Sequence, residues 1–232
     1  MKQTILLRDR IIFALDLPTA EQAIPWVDRL SPHIGMFKVG LELFVESGFQ
    51  VVDAIAARNC GVMLDLKFYD IPETVRRAVA QLPGRNIRLA TVHGDPAIMA
   101  AAAAAKGEVK ILAVTVLTSL GEAGLRAMGY GGTVADLVLE RARQAMASGC
   151  DGVVCSAREA AMVRQELGDG FLIVSPGIRL ADETADDQVR VATPAAALAA
   201  GVDHMVIGRP IRDARDPEEV LRKIARQMEP ET

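Results

Sequence analysis

The chain has 232 residues, half of them hydrophobic but only 4% aromatic, and a formal net charge of −4. That length suits one large α/β domain or two small ones, and the apolar share is enough for a large core of Ala, Val, Ile and Leu. The negative balance argues against a general nucleic-acid binder or an acidic-membrane binder, but it leaves room for a local basic pocket that takes a small phosphate.

The cysteines Cys60, Cys150 and Cys155 form no CxxC pair. An odd count suits a reducing compartment, and all three read as small buried apolar residues. Met1 to Arg10 carries charge on both sides of a hydrophobic patch too short for a signal sequence. The longest apolar run, Ala97 to Ala105, is far short of a membrane span. The expectation is a soluble, cytoplasmic protein.

In chain order, Ile11 to Leu15 reads as a first strand ending at Asp16, and Pro18-Thr19 opens a helix to about Leu30. Gly35 to Val39 is a second strand, followed by a helical stretch over Leu41 to Arg58 with a break near Gly48. Val62 to Lys67 is the third strand and Pro72 to Leu82 its helix. Arg88 to Val92 is the fourth, ending at His93-Gly94, with Asp95 capping the helix that runs through Ala105. Lys110 to Thr115 is the fifth strand, and a long polar segment follows it. The helix Thr133 to Ser148 leads to the sixth strand, Gly152 to Cys155, and the helix Ala157 to Leu167 leads to the seventh, Phe171 to Val174. A short helix at Thr193 to Ala200, the eighth strand Asp203 to Ile207 and a last helix from Pro217 to Met228 complete the series. Eight strands, each followed by a helix with no linker between units, predict a single-domain (β/α)8 TIM barrel over residues 1–232. An open doubly wound sheet is the second choice, but no G-x-G-x-x-G follows the first strand.

The stretch from Leu64 to Val75 holds three charges within six residues, Asp65, Lys67 and Asp70, at the end of an apolar strand. Leu64 and Leu66 alternate with Asp65 and Lys67, so a period of two turns both ionic residues to one face. Asp70 follows where the strand runs out, and Pro72 sits near the first position of a helix. A second apolar strand also ends on a lysine, Lys38. Unpaired buried charge costs several kcal/mol, so two lysines and two aspartates converging from different strands read as a preorganised array. Asp16, Lys38, Asp65, Lys67, His93, Gly208 and Arg209 all fall at C-terminal strand ends, the rim where such barrels carry their active site. His93 alone reads as a structural histidine.

Two segments suit phosphate. Gly208-Arg209 follows the eighth strand, where backbone N–H groups and a guanidinium fork can hold an anion. Ser175 to Arg179 leads into an acidic stretch from Leu180 to Gln188, which reads as a lid. Within it Asp182, Glu183, Asp186 and Asp187 suit a solvated loop, while Arg179 and Gln188 can donate to phosphate. Metal ligation has little support. There is no HExxH, the histidines are scattered, and Lys67 stands between Asp65 and Asp70.

Asp65-Leu66-Lys67-Phe68-Tyr69-Asp70-Ile71-Pro72-Glu73-Thr74 resembles the DxKxxDIPxT signature of the orotidine 5′-phosphate decarboxylase family. Phe13 to Asp16, Phe37 to Gly40, Thr91 to His93, Val114 to Ser119, Pro176 to Arg179 and Val206 to Ile211 resemble that family's other blocks, in its order, and closest to the short bacterial form. A departure is Tyr69, where bacterial members commonly carry histidine.

The resemblance implies a cofactor-free, metal-free enzyme of de novo pyrimidine biosynthesis that converts orotidine 5′-monophosphate to UMP and carbon dioxide. It implies that Asp65 and Lys67 sit beside the departing carboxylate and that Lys67 delivers the replacing proton. It gives Lys38 and Asp16 to the ribose hydroxyls, and Thr118 and Ser119 to the ribose and pyrimidine region. Arg179, Gln188, Gly208 and Arg209 would bind the 5′-phosphate. Asp70, Ile71 and Thr74 would reach the neighbouring site of a homodimer. Two alternatives remain at this stage. One is a magnesium-dependent 3-keto-gulonate-6-phosphate decarboxylase or hexulose-phosphate synthase, which shares DxKxxD but carries an extra acid on the second strand. The other is a non-catalytic nucleotide-phosphate sensor.

Overall fold

Residues 5–180 and 191–228 are described by the structure, a computed structural model. The chain enters through one helical turn, α1 (Leu7–Arg10), and runs into β1 (Ile11–Ala14). Then come α2 (Ala20–Leu30), β2 (Met36–Gly40), α3 (Leu41–Ser47), α4 (Gln50–Ala56), β3 (Gly61–Phe68) and α5 (Pro72–Val79). The middle of the chain forms β4 (Ile87–His93), α6 (Pro96–Ala105), β5 (Lys110–Val114), α7 (Glu122–Ala127) and α8 (Val134–Ala147). It ends with β6 (Gly152–Val154), α9 (Ala157–Leu167), β7 (Leu172–Ser175), α10 (Pro194–Ala199), β8 (His204–Ile207), α11 (Arg209–Arg212) and α12 (Pro217–Met228). The strands are parallel and close in sequence order, with Ile12 of β1 opposite Met36 of β2 on one side and Val206 of β8 on the other.

Local chemistry sets the boundaries. Thr19, Asp95, Thr133 and Thr193 each accept a hydrogen bond from a backbone N–H in the first turn of the helix that follows. The stretch after β2 breaks where expected, because Gly48 adopts φ +55° and its N–H closes α3 on the Phe44 carbonyl. Three short helices depart from the sequence expectation: α1, α7 and α11. None has a long periodic face of its own, and tertiary anchors hold them instead. Leu125 of α7 is fully buried, and Glu122 accepts the N–H of Val134 at the start of α8. Pro210 and Ile211 bury α11.

Strand parity divides the core in two. Phe13, Phe37, Val62, Leu64, Ala90, Ile111, Val153, Ile173 and Ile207 point outward and pack under the helices. Ile12, Ala14, Met36, Met63, Leu89, Leu112, Val174 and Val206 fill the barrel itself. Gly152 on β6 makes that interior possible, since a Cβ there would lie 2.6 Å from the Leu172 Cβ. No described helix is long and apolar enough to cross a membrane.

Candidate active site

The interior layer continues upward by the same parity, and its chemistry changes abruptly. Two residues beyond Ala14 stands Asp16, beyond Met36 Lys38, beyond Met63 Asp65, and beyond Leu89 Thr91. Three of these four polar residues, with Lys67, line a cavity of about 370 Å³ at the C-terminal mouth of the barrel. Five cationic and two anionic side chains line it, against the negative sign of the whole chain. In the low dielectric of a barrel mouth that reversal favours an anionic ligand.

Along one wall the charges alternate in sign. Lys38 Nζ lies 2.7 Å from Asp16 Oδ1 and 3.9 Å from Asp65 Oδ2, and Lys67 Nζ donates to Asp65 Oδ1 at 2.9 Å. Lys38 and Asp65 are deeply set, with side chains 12% and 14% exposed, whereas Lys67 is 31% exposed and reaches toward the opening. Gly40 protects this arrangement, because a Cβ there would stand 3.0 Å from Lys38 Nζ.

The strand carrying Asp65 and Lys67 is irregular where they occur. β3 pairs with β4 at Leu64↔Ala90 and next at Phe68↔Val92, so residues 65–67 face Thr91 alone. Lys67 has φ +50°, a left-handed conformation unusual for a residue with a side chain. The fully buried Thr91 spans the gap: its hydroxyl accepts the Lys67 backbone N–H at 2.9 Å and donates to Asp65 Oδ1 at 2.9 Å.

Across the cavity are Thr118 and Ser119 after β5, Gly177 and Arg179 after β7, and Gly208, Arg209 and Arg212 after β8. The two described stems flanking residues 181–190 are tied together, with Arg179 N–H donating to the Ala192 carbonyl at 3.0 Å and Ala192 N–H to Gly177 at 3.1 Å. Gly208 leaves open space, since a Cβ would approach Ala14 Cβ at 3.3 Å and Asp16 Oδ2 at 3.6 Å. Arg212, which the sequence did not single out, donates to the Asp16 carbonyl at 3.1 Å and pairs with Asp213 at 2.6 Å.

Thus Asp16, Lys38, Asp65, Lys67, Thr118, Ser119, Arg179, Gly208 and Arg209 converge on one cavity. Asp70, Ile71 and Thr74 lie outside it and are exposed; the Asp70 carboxylate accepts the N–H of Ile71 at 2.6 Å. Gln188, with Asp182, Glu183, Asp186 and Asp187, lies outside the described residues. His93 also stands apart, edge-on to Tyr69 with ring centroids 5.1 Å apart. Burial first, and then the cations Arg141 and Lys67, hold its imidazole below the usual histidine range. Thr91 and Gly40 occur in quoted sequence blocks, but their roles depend on contacts between strands that no spacing reveals.

A sequence profile described as "Orotidine 5′-phosphate decarboxylase / HUMPS family" matches residues 9–224. The chain belongs to this family. It is 50% identical over 222 residues to the orotidine 5′-phosphate decarboxylase of Methylococcus capsulatus, covering 95% of this chain and 92% of that one. It is 49% identical over 212 residues to the Xanthomonas campestris enzyme of the same name, covering 90% and 87%. Its fold superimposes on the crystal structure of the Lactobacillus acidophilus orotidine 5′-phosphate decarboxylase with a TM-score of 0.84 at 34% identity, covering 95% of this chain and 99% of that one.

Proposed function

We infer that the chain is an orotidine 5′-phosphate decarboxylase, converting orotidine 5′-monophosphate to UMP and carbon dioxide in de novo pyrimidine biosynthesis. The alternating row Asp16, Lys38, Asp65, Lys67, facing arginines across one cavity, is the observation that carries this reading. Breaking the bond from C6 to the carboxylate releases carbon dioxide and leaves the electron pair on C6. No delocalised sink accepts that pair, so electrostatic preorganisation has to hold it. Lys67 supplies the facing ammonium and then transfers a proton from Nζ to C6; water restores the proton to the lysine.

Asp65 close to the substrate carboxylate raises the ground state. Two like charges about 4 Å apart repel by roughly 4 kcal/mol at an effective dielectric of about 20, and this supplies a share of the rate rather than all of it. Lys38 and Asp16 orient the ribose hydroxyls, while Thr118 and Ser119 meet the ribose and the pyrimidine. Arg179 and Arg209, with the Gly208 backbone and Gln188, take the 5′-phosphate.

Magnesium chemistry fits these residues poorly. Both Asp65 oxygens face ammonium groups, at 2.9 Å and 3.9 Å, and a lysine stands on β2 where a metal-dependent relative needs an acid. The working enzyme is a cytoplasmic homodimer with shared sites. Leu41, Val45 and Ile71 are 56%, 82% and 68% exposed around the ends of β2 and β3, more apolar surface than a lone rim favours. Beside the charge row a hollow of about 100 Å³ is lined by Lys38 and Lys67 together with Asp16, Glu42 and Asp65, and there the partner subunit's Asp70 would complete the array.

The test is the fall in absorbance as orotidine monophosphate is consumed, with and without exhaustive chelation. Turnover indifferent to EDTA is expected. Loss on chelation with recovery in magnesium would move the chain to the sugar-phosphate decarboxylases. Tight UMP binding without turnover would make it a sensor.

A further inference from the structure

We propose that Thr91 is the positioning residue of the reaction, setting both the Lys67 ammonium and the Asp65 carboxylate through one hydroxyl. The inference rests on the decarboxylase reading for its kinetic consequence and on the barrel alone for its geometry. Thr91 is fully buried and points into the barrel by the same parity as Leu89, yet it does not line the cavity. It therefore acts only through its neighbours.

In a regular pair of strands Asp65 and Lys67 would each stand opposite a residue of β4. Here three residues of β3 face Thr91 alone, and the chain at Lys67 turns to φ +50°. A bulge of this kind re-aims a side chain, but it also leaves backbone groups out of the ladder. The Thr91 hydroxyl takes up one of them, the Lys67 N–H, at 2.9 Å. Accepting there leaves its single proton for Asp65 Oδ1, also at 2.9 Å. That oxygen is the one bound by Lys67 Nζ at 2.9 Å. Hydroxyl, backbone amide, ammonium and carboxylate thus form a closed circuit, in which moving any member moves the others. The other Asp65 oxygen faces Lys38 at 3.9 Å.

Position 91 consequently requires a donor and acceptor together, on a β-branched frame suited to a central strand. Valine supplies the frame without the hydroxyl; serine supplies the hydroxyl with a smaller frame. Ground-state affinity comes mostly from the distant arginines, so a shift of the bulge should appear in kcat rather than KM. Misplacement of a reacting group by about 1 Å costs on the order of a hundredfold in rate.

The experiment compares wild type with Thr91→Ser, Thr91→Val and Thr91→Ala. Thr91→Ser is expected within about threefold of wild-type kcat, and Thr91→Val to lose roughly a hundredfold with KM changed less than about threefold. Independently of turnover, the Lys67 amide should exchange with deuterated solvent much faster in Thr91→Val than in wild type, as seen by NMR. If Thr91→Val does not fold, Thr91→Ala, which overpacks nothing, replaces it in both readouts. A hydroxyl-free variant with wild-type kcat and wild-type Lys67 amide protection would overturn the proposal. If wild type itself leaves orotidine monophosphate untouched, the functional reading fails, and the amide measurement still decides the geometry.

Discussion

Arg164 and Asp203 meet at 2.6 Å at the base of the barrel, with side chains only 13% and 3% exposed. Arg164 also donates to the carbonyls of Gly168, Phe171 and Gly201, while Asp203 accepts the N–H of Ile173. One guanidinium thereby joins α9, the entry to β7 and the entry to β8, at the end of the barrel remote from the cavity. Removing the arginine takes the paired cation away from a carboxylate that stays buried. Arg164→Met is expected to lower unfolding free energy by about 3–5 kcal/mol, read by urea denaturation, and to leave kcat at 25 °C close to wild type. An Arg164→Met/Asp203→Asn double variant should recover part of that loss. A kcat that falls with stability would mean the two ends of the barrel are coupled.

The shared-site reading makes a stricter demand. Lys67→Ala and Asp70→Ala should each be nearly inactive as homodimers. After subunit exchange, one site of each heterodimer lacks both groups and the other joins an intact Lys67 to an intact Asp70. Activity should return on mixing, limited to one competent site per heterodimer. Heterodimers verified by mass spectrometry without recovered turnover would assign Asp70 to its own chain.

Arg209 tests how phosphate binding is used. Loss of a charge-assisted contact predicts a fall in kcat/KM of about 2–3 kcal/mol for Arg209→Ala, roughly 30- to 150-fold. A substrate lacking the phosphate should lose almost nothing, because remote binding energy then has no part in assembling the site. Equal losses on both substrates would make Arg209 structural.

Acid sensitivity should trace to His204. Its Nδ1 lies 2.7 Å from the Asp9 carbonyl, and burial holds its pKa below the usual histidine range. The unfolded chain, titrating at about 6.5, then binds a proton that the folded chain refuses. Stability is complete above that value and declines as pH falls from it toward the lower folded value, by up to about 1.4 kcal/mol per unit. His93, shifted in the same direction, adds to the slope. Glu73 and Glu218, held at about 2 chiefly by hydrogen bonds from Arg76 and Arg29, titrate below this window. Urea midpoints at pH 7.5 and 5.5 should differ less in His204→Gln than in wild type; an unchanged difference would clear His204.

The sequence disclosed the barrel because its strands are short apolar runs separated by helical stretches, several of them ending on a charged residue. It also disclosed most of the cavity, since parity carries Ala14 to Asp16 and Met36 to Lys38 without knowledge of neighbours. Parity was insufficient at β3. It put Asp65 and Lys67 on one face but held no sign of the bulge or of Thr91, which lies 24 residues from Lys67. Arg212 escaped for the same reason, since its partner carbonyl is 196 residues away. Short helices such as α7 were missed because burial of Leu125, and not local propensity, keeps them folded.

The left-handed backbone at Lys67 bears on how such a chain can evolve. A side chain at φ +50° costs about 1–2 kcal/mol, a noticeable part of the 5–15 kcal/mol that typically separates folded from unfolded protein. At position 67, selection for heat tolerance favours a residue at ease in that conformation, whereas the proton-donor role proposed above favours the lysine. At Arg164 the two pressures agree. Lineages adapting to higher temperature would therefore keep the ion pair at the base of the barrel, gain stability at other positions, and retain the uncomfortable lysine at its mouth.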